Sequence, residues 1–153
     1  MQRVTIIRVI DAPLDLVFKT VAQIEEFSKA IPHIAKIEML SDVKSGVGTR
    51  FRETRIMKGK EVSNDLEVTE YVLNDHVRLV ADTHGTVWDT LFTVKTVNGM
   101  TEMTMVMDAK AHKFLPKIMN SLIMGMVKKA IEQDMDSVKA YCERETSARA
   151  KSV

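Results

Sequence analysis

Residues 114–145, FLPKIMNSLIMGMVKKAIEQDMDSVKAYCERE, read as one long helix, rich in helix formers and free of strand-like alternation. At about 1.5 Å per residue such a helix spans roughly 45 Å, longer than a small domain is wide. A chain of 153 residues accommodates it only by laying it across most of what remains. What remains reads mainly as strands, which predicts a sheet wrapped around one helix. Leu115, Ile118, Met119, Leu122, Met126 and Ala130 fall on one buried face. Val127, Ile131, Met135, Val138 and Cys142 continue an apolar stripe rotated by about a quarter turn, as in a curved helix. Gly125 sits between the halves, either as a close approach of backbone to ligand or sheet or as a tolerated glycine costing about 1 kcal/mol relative to alanine. Pro116 is compatible only with the first turn, so the helix begins near Phe114. Met119, Met124, Met126 and Met135 give this element a flexible, polarisable surface, suited to a variable ligand and equally to ordinary core.

The remainder divides readily. Residues 2–10 are a strand, broken at Asp11-Ala12-Pro13, with Asp11 as N-cap of a short helix that buries Leu14, Val17, Phe18 and Val21. A second short helix covers about Ile24 to Lys29, and a second strand 34–40. A hairpin of strands 48–58 and 60–71 turns at Lys58-Gly59-Lys60. Arg50, Arg52 and Lys58 face Glu61, Asp65 and Glu67 on its wet side. The other side carries Phe51, Glu53, Arg55 and Met57 opposite Val62, Asn64, Leu66 and Val68. Strands follow at 76–83 and 86–97, and Asn98-Gly99 is a strong two-residue hairpin signal. That turn sets Val94 against Met103, Phe92 against Met105 and Thr90 against Met107 on one inner face, which Trp88 extends. With His84-Gly85 as a turn centre, Val77, Leu79 and Ala81 join it. Val80, Leu91 and Val106 then form an outer apolar patch, a candidate homodimer contact.

A net charge of +1 with no basic stripe argues against a nucleic-acid partner. No apolar run reaches membrane-spanning length. The single cysteine, Cys142, and the absence of a signal-peptide pattern lead us to expect a cytoplasmic protein. One domain is expected over 1–145, with 146–153 a flexible tail.

The order strand, two short helices, six strands, long helix resembles the helix-grip fold of the START-like, birch-pollen-allergen-like (SRPBCC) superfamily, nearest its polyketide cyclase/dehydratase branch. The stretches that carry the resemblance are VTIIRVIDAPLDLVF, SGVGTRFRET, WDTLFTVKTVNGMTEMTM and the closing helix, over residues 2–144. It implies an α+β architecture: a curved seven-stranded antiparallel sheet around a long C-terminal helix, with two short helices between strands 1 and 2. It further implies an apolar ligand, such as a lipid, polyketide or quinone, held between sheet and helix. Two alternatives come with it: a cyclase, aromatase or dehydratase, and a protein-interaction module of the coenzyme Q-binding and ribosome-associated toxin type.

The candidate ligand-binding set is Phe18, Phe51, Leu66, Trp88 and Phe92, with Met103, Met105, Met107, Met119, Leu122 and Met126. Glu53 and Arg55, two residues apart on one strand, share its inner face with Asn64 opposite. They either orient a ligand's polar head, act in proton transfer, or form a structural ion pair. They are the candidate catalytic residues. No cofactor is expected, and His33, His76, His84 and His112 lack metal-ligand spacing. His76 and His84 are expected to be solvated, and His33 is a candidate for a cavity mouth. Cys142 has no identifiable base beside it.

Overall fold

The computed structural model describes residues 2–152, and for residues 114–122 it describes the backbone but not the side chains. Seven strands and three helices follow in the order β1 (Gln2–Ile10), α1 (Leu14–Ala22), α2 (Ile24–Ala30), β2 (Ile34–Met39), β3 (Arg50–Met57), β4 (Lys60–Val72), β5 (His76–Thr83), β6 (Thr86–Val97), β7 (Met100–Ala111) and α3 (Phe114–Lys151). The strands form one antiparallel sheet, ordered β1-β7-β6-β5-β4-β3-β2. This is the expected helix-grip architecture, with α1 and α2 inserted between β1 and β2.

Three two-residue hairpins set the register. Lys58-Gly59, His84-Gly85 and Asn98-Gly99 each place both residues at positive φ, the requirement of a turn whose twist matches its flanking strands. Met57 pairs with Lys60, Thr83 with Thr86 and Val97 with Met100. Every inner-face pairing expected for β6 and β7 is present: Val94 with Met103, Phe92 with Met105, Thr90 with Met107. Gly85 has a second duty. A Cβ there would come within 2.7 Å of the Lys113 side chain, and its carbonyl accepts from the His112 amide at 2.8 Å. The β5–β6 turn thus holds the chain where it enters α3.

The β4–β5 ladder shifts register between Val68 and Glu70, a bulge that simple alternation misses. It turns Tyr71 towards the core, where its ring meets Phe18 edge-on at 5.3 Å. The free edge of β1 is covered by α3. Lys139 donates to the Val9 carbonyl at 2.6 Å, Arg8 pairs with Asp136, and Glu143 accepts from the Asp11 amide at 2.9 Å. Asp11 is not the N-cap of α1. Pro13 occupies that position with no side-chain cap bond, and the Asp11 amide donates to Glu143 of α3.

Among described side chains, α3 shows one continuous stripe: Met124, Ile131, Met135, Val138 and Cys142 are buried, with Val127 partly so. Met126 lies beside the stripe and is 65% exposed, which corrects its placement on the buried face. Burial pushes the Cys142 thiol up, and its Sγ donates to Thr20 Oγ1, leaving a buried and unreactive group. The helix continues to Lys151, beyond Glu145 and through most of the segment expected to be a tail. Residues 146–151 lack apolar periodicity but contain no Gly or Pro, and Arg149 and Lys151 suit the helix's negative end. Val80, Leu91 and Val106 are on the outer face, half-buried, with the exposed Ile7 and Val9 of β1 extending the patch.

Gly125 is exposed, and a Cβ there would meet nothing within 4 Å, so it marks no close approach. Gly125→Ala is accordingly expected to stabilise the protein by about 1 kcal/mol, read as a shifted urea midpoint with unchanged slope.

Candidate functional site

Among the described side chains, the inner face of the sheet and the facing side of α3 do not close on each other. Between them lies a cavity of about 750 Å³. β3 contributes Phe51, Glu53 and Arg55, β4 contributes Asn64 and Leu66, β6 contributes Trp88 and Phe92, and β7 contributes Met105 and Met107. Met126 and Ile123 of α3 and Met57 of β3 line it and are exposed, so these residues border an opening. The remainder of the wall is mainly apolar and includes Phe27 of α2, whose ring stands 6.4 Å from that of Phe92.

Phe18 and Met103 are not part of this wall. Both are 1% exposed and belong to the solid core. The reason is α1, which packs against β6 and β7 and covers that part of the concave face. The cavity therefore occupies only the part of the sheet that α1 leaves uncovered. Met119 and Leu122 lie outside the described side chains. His33 does not line the cavity, whereas His84, on the β5–β6 turn, does and is exposed.

A buried charged cluster stands in the wall. Glu53 is 7% exposed, and Arg55 Nε donates to its Oε1. Arg55 Nη1 donates to Asp134 Oδ2 of α3 at 2.8 Å. A single guanidinium thus bridges two carboxylates, one on the sheet and one on the helix. The strand period places Glu53 and Arg55 on one face, but sequence reasoning does not find Asp134. It extends the row Leu122, Met126, Ala130 by one further step of four, the spacing of side chains above one another on a helix. Burial pushes the Arg55 guanidinium down, but the charges of Glu53 and Asp134 and their hydrogen bonds outweigh it, so the group titrates above the ordinary arginine value. Among the described residues no three His, Cys, Asp or Glu side chains converge as a metal site. No described helix is long and apolar enough to cross a membrane.

A protein-family profile described as polyketide cyclase / dehydrase and lipid transport matches residues 1–143. The chain belongs to that family. Solved structures of other proteins share the fold of this family member. TTHA0849 from Thermus thermophilus is 17% identical, with 97% of this chain and 99% of that one covered at a TM-score of 0.71. Ara h 8.0201 is 14% identical over 92% and 97% of the two chains, with a TM-score of 0.75. The di-domain ARO/CYC StfQ, from the steffimycin biosynthetic pathway, is 10% identical. Its TM-score is 0.75, and the match covers 95% of this chain and 51% of StfQ. At these identities the likeness is one of fold. No curated protein matches the chain in sequence.

Proposed function

We propose that the protein binds and carries a small, largely apolar molecule in the cavity between the sheet and α3. The cavity itself carries this reading. Its volume of about 750 Å³ falls within the roughly 300–1,000 Å³ of small-molecule sites, and such sites pair apolar walls with a few placed polar groups. Phe51, Trp88, Phe92 and Met107 supply the apolar surface, and Glu53, Arg55 and Asp134 supply the polar one. Met105 and Met126 add side chains that re-pack around ligands of different outline.

The only tryptophan, Trp88, lines the site and provides the test. Titration with the neutral fluorophore N-phenyl-1-naphthylamine, excited through Trp88, is expected to show saturable one-to-one energy transfer. A linear, unsaturable response would remove the carrier reading. Native mass spectrometry of freshly purified protein adds a direct check, with a co-purifying apolar mass expected.

A second reading, an enzyme of the cyclase, aromatase or dehydratase kind, draws on the same carboxylates. Glu53 and Asp134 stand at the wall of an apolar cavity, where a general base would reach a bound substrate. Turnover of a supplied polyketide, abolished in Glu53→Gln, would select this reading over carriage.

A further inference from the structure

The charged cluster on the cavity wall has a sign and a donor pattern, and both bear on what binds beside it. Three surface arginines of this protein each grip one carboxylate with Nε and Nη2 together: Arg3 with Asp108, Arg52 with Asp65 and Arg78 with Asp89. Arg55 does otherwise. Its Nε is committed to Glu53 and its Nη1 to Asp134. A carboxylate held bidentately needs either the Nε and Nη2 pair or the Nη1 and Nη2 pair. The single N–H of Nε is spent on Glu53, so the Nε and Nη2 pair that the three surface arginines use is closed to a ligand.

The charge count points the same way. Two carboxylates around one guanidinium leave a formal charge of minus one on the wall. The cluster is largely desolvated, with side-chain exposures of 9% for Glu53, 19% for Arg55 and 13% for Asp134. The other basic residues described at the cavity, Lys44 and His84, sit on exposed loops. In such surroundings a second anion is repelled far more than in water. Glu53 Oε2 and Asp134 Oδ1 make no hydrogen bond to Arg55, so the cluster presents accepting oxygens. Asn64, across the ladder from Glu53, adds an amide at the same wall.

From this we infer that the ligand's polar end is a hydrogen-bond donor without negative charge, a hydroxyl or protonated amine, and that the site discriminates against carboxylates. The inference deepens the carrier reading and rests on it. A fatty acid with the same apolar tail is a poor occupant, because its head meets two carboxylates against one guanidinium whose Nε and Nη2 pair is already broken by Glu53. An alcohol or amine donates a hydrogen bond to Glu53 or Asp134 and leaves the Arg55 bridge intact.

Three probes with one tail test it: 1-decanol, decylamine and decanoate at pH 7.5, each displacing N-phenyl-1-naphthylamine from the intact protein. The expected result is that decanol and decylamine bind about tenfold or more tighter than decanoate. In Asp134→Asn, which removes the excess charge and keeps the shape, the gap between decylamine and decanoate narrows. Equal affinity of the wild-type protein for decanoate and decanol overturns the inference while leaving the cavity as a binding site. Failure of the fluorophore and of all three probes to bind overturns the carrier reading, and the inference with it. The wild-type ranking decides the matter even should Asp134→Asn fold poorly.

Discussion

Arg55→Leu is expected to destabilise the protein by about 3–5 kcal/mol, the cost of leaving buried charges without their partner. For a chain of this size that lowers the melting temperature by roughly 10 °C or more. The substitution deserts two carboxylates at once, since Glu53 and Asp134 both depend on Arg55. The triple variant Glu53→Leu, Arg55→Leu, Asp134→Leu should recover most of the loss or exceed wild type, because an apolar replacement of a whole buried ion cluster removes the desolvation penalty of every member. Thermal melts of the two variants side by side carry the comparison. A single variant that melts with wild type would mean that solvent reaches the cluster freely, and a triple variant as unstable as the single one would mean that the charges hold β3 to α3. Recovery in the triple variant would show that stability does not account for charges in an apolar wall, which strengthens a role towards the ligand.

How far the sequence reveals this arrangement depends on the range of the interaction. The hairpins are legible because two-residue turns are local: Asn98-Gly99 alone aligns Phe92 with Met105 and Thr90 with Met107. Glu53 and Arg55 are legible as a same-face pair for the same reason, the strand's period of two. Their third partner is not, because Asp134 reaches them only after α3 has been laid across the sheet, 79 residues further on. Phe18 and Met103 illustrate the opposite failure. Their inward orientation is legible, but inward is not the same as cavity-facing, and only the docking of α1 decides which inward residues are sealed into the core. The extension of α3 to Lys151 is hidden for a different reason. Apolar periodicity reports which helical residues are buried, and it falls silent where a helix runs on into solvent. Tyr71 is displaced by the β4 bulge, an insertion that leaves no mark in an alternating pattern.

Ala81→Phe is expected to reduce binding of N-phenyl-1-naphthylamine at least tenfold, with little change in stability. Ala81 is 6% exposed, lines the cavity and pairs directly with Trp88 across the β5–β6 ladder. A phenyl ring there projects into the space a ligand would take and lies against the Trp88 indole. Aromatic side chains suit strands, and a cross-strand aromatic pair contributes roughly 0.2–1 kcal/mol, enough to offset modest crowding. Phe18→Ala is the matched control, since Phe18 lies in the solid core beside Tyr71 and not in the cavity wall. It should cost about 3–5 kcal/mol of stability while the folded fraction binds the fluorophore with near-normal affinity. The two substitutions thus separate the quantities that a buried aromatic position confounds. Ala81→Phe changes occupancy and spares the fold, whereas Phe18→Ala weakens the fold and spares occupancy. Binding that survives Ala81→Phe undiminished would place the fluorophore elsewhere on the molecule, whatever the shape of the space between sheet and helix.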